Sequence, residues 1–286
     1  VSTSVRPDDL DRKQVRFADG VEGRVYYADF LDRPVPSVST IKEERLTPDK
    51  DDAIDGWKEH YDGTTEYKSP HWKEQLKFKQ LRGTLVHFAI FSQYGAQRSE
   101  EEDDAEYILK NWASERPAMN TGPDEDPIPF YGPPDKYDGS DPWDHVMRDT
   151  NWALSEWTDT VVPQLGITED NIKACEQYVL DTEYGYAGQA DLVYEPEDGP
   201  VTMADLKTGG GVRDDVKYQT AAYARAVPYD VERTMVIRLD PSNNEVEIQT
   251  NEDWDNSILG YEHHFLSLCE WVNQNKYPVT ELDDSE

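Results

Sequence analysis

The sequence predicts an α/β protein with a mixed central sheet flanked by helices. Three observations predict it. Short runs rich in apolar and β-branched residues cluster late in the chain, at Ala174 to Thr182, Ala187 to Tyr194 and Val201 to Leu206, and again at Arg233 to Leu239 and Glu245 to Thr250. A helical run, Asp214 to Ala226, separates the two groups, and an amphipathic run, Trp254 to Trp271, closes the chain. With another helix expected around Trp143 to Val161, the order is helix, three strands, helix, two strands, helix, which covers a single sheet with helices.

The earlier elements are read in order. Residues 1–35 are polar and mixed, with a short possible strand at Gly23 to Tyr27, and are expected to be peripheral. Pro36 to Ile41 leads into a segment containing Ile54 and Trp57, read as a short helix behind a Ser/Thr cap. A second helix is predicted from about Trp72, where Leu76, Leu81, Leu85, Phe88, Ala89 and Phe91 form an apolar stripe interrupted at Gly83; it carries His87. Residues 99–142 open with Glu100 to Asp104 and later hold Gly122-Pro123 and Gly132-Pro133-Pro134, an acidic insertion of part helix and part loop. The polar turn Pro241 to Asn244 joins the last two strands. No repeat and no linker-bounded second unit is visible, so 1–286 is read as a single domain.

Acidic residues outnumber basic ones by 60 to 28, a net charge of -32, while 36% of residues are apolar and 11% aromatic. A disordered acidic chain would lack so many Trp and Tyr residues, so the charge is read as the coat of a folded surface. Such a coat suits molar salt, where the Debye length falls to roughly 3 Å and self-repulsion is screened. The expected setting is the high-salt cytoplasm of a halophile. Cys175 and Cys269 are the two cysteines, which excludes a four-cysteine iron–sulfur cluster and a zinc site built on cysteine. No apolar run approaches the roughly 20 residues of a membrane span, and the first dozen residues have no signal-peptide core, so a soluble protein is expected.

Chemistry concentrates in three pieces: Gly188-Gln189-Ala190-Asp191, Asp205-Leu206-Lys207-Thr208, and Gln219 to Tyr223. Asp205 and Lys207 are two apart on a predicted strand, so both leave the same face. A hairpin centred near Asp198 would set Asp191 opposite Asp205, with Cβ atoms about 5 Å apart, a spacing from which two carboxylates can share a divalent cation. Lys207 beside them can orient the attacking water and stabilise charge developing on a phosphate, and the carbonyl of Leu206 can add a ligand. Gln219 and Tyr223, four apart on a predicted helix, share one face. Each piece alone has a plainer reading: a surface salt bridge for Asp-x-Lys, a helix surface for Gln219 and Tyr223, a core histidine for His87.

Together and in this order, the pieces resemble PD-(D/E)XK nucleases of the RecB and phage exonuclease type. Arg82-Gly83-Thr84-Leu85-Val86-His87 is similar to that family's Arg-Gly-Thr-x-x-His helix, and Pro36-Ser37-Val38-Ser39-Thr40-Ile41 to the Pro-Ser-Val-Thr-Thr stretch before it. Gly188 to Asp191 matches Gly-x-x-Asp, Asp205-Leu206-Lys207 matches Asp-x-Lys, and Gln219 to Tyr223 matches Gln-x-x-x-Tyr. The resemblance implies a restriction-endonuclease-like core and a Mg²⁺- or Mn²⁺-dependent deoxyribonuclease. It implies metal ligation by His87, Asp191 and Asp205, catalysis by Lys207, and DNA positioning by Gln219 and Tyr223. Exonuclease action is favoured because the Gln-x-x-x-Tyr element accompanies exonuclease-like members. Glu176 and Glu183 are alternative accessory acids, and the choice between them stays open. Roles in recombination, repair or viral replication, with a helicase or recombinase as partner, follow by analogy.

A net charge of -32 opposes DNA binding, which normally neutralises phosphates with basic residues. The local balance differs. Between Trp72 and Arg98, Lys73, Lys77, Lys79, Arg82 and Arg98 face Glu74 alone; between Val201 and Asp240, six basic residues, Lys217 among them, offset six acids. Arg82 and Lys217 are therefore DNA-binding candidates. The rival readings are a catalytically idle DNA-binding module of the same fold and a halophilic cation-binding structural protein.

Overall fold

The structure, a computed structural model, describes residues 2–4, 9–45, 72–95, 142–209 and 211–282. The segment with Ile54 and Trp57 and all but the last residue of the 99–142 insertion lie outside the described residues.

A six-stranded mixed sheet forms the centre. Its strands are β1 (Ser2–Ser4), β5 (Ile172–Asp181), β6 (Tyr186–Tyr194), β7 (Thr202–Lys207), β8 (Arg233–Asp240) and β9 (Glu245–Thr250), hydrogen-bonded in that order. The pair β7–β8 is parallel and the others antiparallel. A parallel neighbour needs a crossover, and the predicted run Asp214–Ala226 supplies it as a helix, here α4. Helix α1 (Val38–Arg45), α4 and α5 (Ile258–Asn275) cover one face, where Val38, Ile41, Val179, Tyr186, Met203, Ala222 and Phe265 share a core. Helix α2 (Trp72–Phe91) and α3 (Pro142–Glu156) cover the other, with Val86, Ile90, Phe91 and Trp157 against Leu192, Ala204, Leu206 and Ile237. Alternation along β7 follows: Ala204 and Leu206 face α2, so Asp205 and Lys207 face α1 and α4.

The restriction-endonuclease-like α/β expectation holds, with differences that have local causes. Three strands lie within residues 11–36: β2 (Asp11–Phe17), β3 (Glu22–Tyr27) and β4 (Val35–Pro36) join β10 (Val279–Glu281) in a second, antiparallel sheet. Val15 and Val25 are fully buried there, and Leu10, Tyr26 and Val35 pack on Tyr178 and Leu180 of the main sheet. The helix expected around Trp143 to Val161 starts at Pro142, widens into a π-type turn over Trp157–Val161 and ends at Gly166, whose φ of +63° suits glycine. The closing helix starts at Ile258 rather than Trp254, because Thr250 caps a short turn at Asn251–Asp253 and the Ser257 hydroxyl caps the helix through the amide of Gly260 at 3.1 Å. Among the described residues no helix is long and apolar enough to cross a membrane.

Candidate active site

Three strands and two helices bring the site together. The β6–β7 ladder pairs Leu192 with Ala204 and ends there, with Asp191 and Asp205 each one residue beyond that last pair. Past this point the backbone amide of Leu206 donates to Asp191 Oδ2 at 2.7 Å. On the other side of β6, Cys175 pairs with Leu192 and Gln177 with Ala190, leaving Glu176 against Asp191. Glu176 has φ +47°, uncommon for a residue with a Cβ and of the kind that clusters at functional sites. This inversion breaks the strand's alternation: Cys175 packs toward Phe91, yet Val179, four residues on, joins the opposite core. It also turns the Glu176 carboxylate toward α2, where Oε1 meets His87 Nδ1 at 3.0 Å.

His87, Glu176 and Asp191 each offer a ligand atom, and these atoms lie within 4.8 Å of one another. The His87 Nε2 faces the Leu206 carbonyl at 3.1 Å. Both ring nitrogens therefore face acceptors, which favours the doubly protonated ring. Burial opposes that charge, but Asp191 and Glu176 outweigh it and raise the His87 pKa to about 9. Burial, then the charge of Asp205, pushes the Asp191 carboxyl up. Asp205 is fully buried; its Oδ1 accepts from Gln219 Nε2 at 2.8 Å, and Lys207 Nζ stands 2.5 Å from Oδ2. That last approach is an ion pair, and no donor is aligned on the buried Oδ2. Burial lowers the Lys207 pKa less than Asp205 and Asp191 raise it, so the lysine is charged.

These residues fit a divalent cation. Buried carboxylates cost several kcal/mol each unless a positive charge compensates, and here a proton on His87 and the Lys207 ammonium stand in for one. Imidazole with carboxylates is a donor set that suits Mn²⁺, and carboxylates with a backbone carbonyl suit Mg²⁺. His87, Glu176 and Asp191 would hold the ion, with Asp205 Oδ2 adjoining.

The other expected residues take different positions. Tyr223 is buried in the core beneath Gly188, where a Cβ would come within 2.6 Å of its ring, so the Gly-x-x-Asp glycine and the Gln-x-x-x-Tyr tyrosine form one packing contact. Arg82 is buried and donates to the Thr208 carbonyl at 2.7 Å, Asp149 at 3.2 Å and Ser242 at 3.2 Å, tying the helix of His87 to the end of β7. Lys217 pairs with Asp214 at 3.0 Å. Glu183 binds Arg225 at 2.9 Å at the β5–β6 turn, apart from His87 and Asp191. Of the basic run on α2, the side chains of Lys73 and Lys77 and all of Arg98 lie outside the described residues.

Sequence reasoning missed Lys42. It lies on α1 directly after Pro36 to Ile41, bonds Gln219 Oε1 at 2.8 Å and pairs with Asp215 at 3.2 Å. Burial depresses its pKa against the pull of Asp215. A charged residue one position past a buried helix stripe was the available signal. With Lys79, Arg82, Lys207 and Arg213 it lines a cleft of about 440 Å³ beside the carboxylates, in which Asp215 is the one acidic lining residue among the described residues.

A model of the PD-(D/E)XK nuclease superfamily matches residues 57–281. A search among curated proteins finds no match. Among solved structures, one described as "Crystal structure of SSO0001" aligns at 11% identity over 68% of this chain and 75% of its own, with a TM-score of 0.29, too low to bear on the reading. Since the family match runs from before α2 to the end of β10 and takes in the strands and helices that carry His87, Glu176, Asp191, Asp205, Lys207 and Gln219, the chain belongs to the PD-(D/E)XK nuclease superfamily.

Proposed function

We propose that the protein is a Mg²⁺- or Mn²⁺-dependent deoxyribonuclease, an exonuclease in preference to an endonuclease, that hydrolyses phosphodiester bonds in DNA recombination, repair or viral replication. The observation that carries this reading is the meeting of His87, Glu176, Asp191, Asp205 and Lys207 beside a cleft lined by five basic side chains, in a chain whose net charge is -32. A basic cleft in so acidic a protein is the footprint expected for a phosphate backbone.

When bound, the ion supplies an activated water and charge stabilisation at the phosphate. His87, Glu176, Asp191 and Asp205 are its ligands in this reading, with the Leu206 carbonyl beside them. Lys207, about 29% exposed and fixed by Asp205, is the group that can reach the phosphate or its attacking water. Gln219 holds Asp205, while Tyr223 seats α4 under Gly188. Arg82 lines the cleft with Lys42, Lys79 and Arg213, the DNA-facing side in this reading, while Lys217 is engaged by Asp214. The acidic surface adapts the protein to a high-salt cytoplasm. Counterion release weakens there, so affinity depends more on the metal and on directed hydrogen bonds.

The test is incubation with linear and circular DNA in molar KCl, with Mg²⁺, Mn²⁺ or EDTA. Metal-dependent loss of linear DNA with circles intact is the expected outcome. Cutting of circles would make the enzyme an endonuclease. Metal binding and DNA binding without any hydrolysis would replace the reading with an idle DNA-binding module.

A further inference from the structure

Lys42 enters the site from outside the motifs and outside the matched stretch 57–281. Its helix is held from two directions. The Ser37 hydroxyl caps α1 by accepting from the Thr40 amide at 3.0 Å, and the Thr40 hydroxyl exchanges hydrogen bonds with both the amide and carbonyl of Arg24 on β3. Ser37 also bridges to Ala187 of β6, and Val38 and Ile41 are fully buried against the main sheet. The next residue, Lys42, is thereby delivered to α4 with little freedom.

The amide of Gln219 connects it to the carboxylates. Oε1 accepts from Lys42 Nζ at 2.8 Å, and Nε2 donates to Asp205 Oδ1 at 2.8 Å. The two ends of an amide have nearly the same shape and opposite hydrogen-bonding sense. Turned over, this one would set its NH₂ against an ammonium and its oxygen against a carboxylate. An ammonium on one side and a carboxylate on the other therefore select a single orientation. Asp215 steadies the ammonium at 3.2 Å and is itself held by Arg213 at 3.1 Å.

We propose that Lys42 is a positioning residue of the nuclease centre: through the amide of Gln219 it fixes the carboxylate of Asp205 in the orientation that serves a divalent cation. The inference rests on the nuclease reading and adds a residue that no motif contains. Lys42 also lines the basic cleft, so a direct contact to a substrate phosphate is the competing role, and the two roles separate experimentally.

Lys42→Met, Lys42→Arg, Gln219→Leu and the double variant Lys42→Met/Gln219→Leu are compared with the unaltered protein by calorimetric titration with Mn²⁺ in the absence of DNA, and by kcat and KM on linear DNA. Lys42→Met is expected to weaken Mn²⁺ binding and lower kcat by about 10- to 100-fold, the range for residues that orient ligands. KM for DNA is expected to stay within about threefold, because the contact acts on the centre and not on the substrate. Lys42→Arg is expected to restore most of both. The double variant should match Gln219→Leu, as two members of one chain are not additive. Lys42→Met with unaltered Mn²⁺ affinity and kcat, or with a change confined to KM, overturns the inference. If Lys42→Met does not fold, Lys42→Gln is read in its place by the same criteria. An unaltered protein that neither binds Mn²⁺ nor cuts DNA overturns the nuclease reading and Lys42 with it; one that does both while Lys42→Met equals it overturns Lys42 alone.

Discussion

At the β5–β6 turn Arg225 donates to Asp181, Glu183 and Glu262, each at 2.9 Å. Farther along β5, β6 and β7, Lys207 lies in the field of Asp205, Asp191 and Asp215, and Glu176 adjoins Asp191. In each cluster carboxylates outnumber the strong bases, so an excess of negative charge does not distinguish them. Water does. Glu183 is 57% exposed and solvates part of the excess around Arg225, whereas Glu176, Asp191 and Asp205 are all buried. In the first cluster the guanidinium uses a different nitrogen for each acid and the fold is stabilised. In the second the deficit of positive charge is carried by a proton on His87 and by a carboxyl pushed toward neutrality, a state that a divalent cation would relieve. Similar chemistry thus makes a clamp where solvent enters and a candidate metal centre where it does not.

The comparison can be broken at either cluster. The largest expected effect is at the buried one: Asp205→Ala and Lys207→Ala should each lower kcat on DNA by about a thousandfold, the scale of losing a group that stabilises transition-state charge. Activity at the unaltered rate in both would remove this centre from the chemistry. At the solvated cluster, Arg225→Met should leave kcat of the folded protein unchanged and destabilise it by roughly 3 kcal/mol, because Asp181, 1% exposed, loses its cation; denaturant unfolding reads the loss. A fall in kcat without a fall in stability would mean the two clusters are not separate in role.

Glu176→Gln should weaken Mn²⁺ binding by about 10- to 100-fold while folding is retained. Unchanged affinity would return Glu176 to a strand-face residue with an unusual φ.

Protonation sharpens the contrast further. His87 rises from 6.5 to about 9 and Asp191 rises from 3.8, so both pKa values are raised on folding. Such groups contribute stability that is complete below their unfolded values and is lost as pH climbs through the folded ones. In EDTA the protein is expected to melt at a lower temperature at pH 9.5 than at pH 6, by about 5 °C. Mn²⁺ should narrow the gap, since bound cation replaces the protons. A melting temperature that rises with pH in EDTA would contradict the assignment. The smallest effect belongs to Glu183→Gln, a solvated partner: a stability change within about 0.5 kcal/mol and no change in cleavage.

Much of the fold was legible because it is written in local periods. The i, i+2 spacing of Asp205 and Lys207 determines a shared face once Val201 to Leu206 is a strand, and the turn at Glu197 to Gly199 joins β6 and β7 into the hairpin whose ladder pairs Leu192 with Ala204. The four-residue spacing of Gln219 and Tyr223 put them on one side of α4, and the bounds of that helix and of β9 were read to the residue. Where each of those side chains points was not written there. Tyr223 lies inward because Gly188, thirty-five positions away, leaves room for its ring, a contact that neither segment signals alone.

The amino-acid sequence by itself determined the α/β class, the succession of strands and helices from β5 to α5, and the carboxylates and lysine of β6 and β7, since these depend on neighbours within a few residues. Only the tertiary structure placed Glu176 against His87 and Glu183 against Arg225, set Lys42 against Gln219, and joined β2 and β3 to β10 across most of the chain. Each of these rests on a left-handed backbone position or a pairing between distant segments, and such features become favourable only when packing from several elements holds them at once.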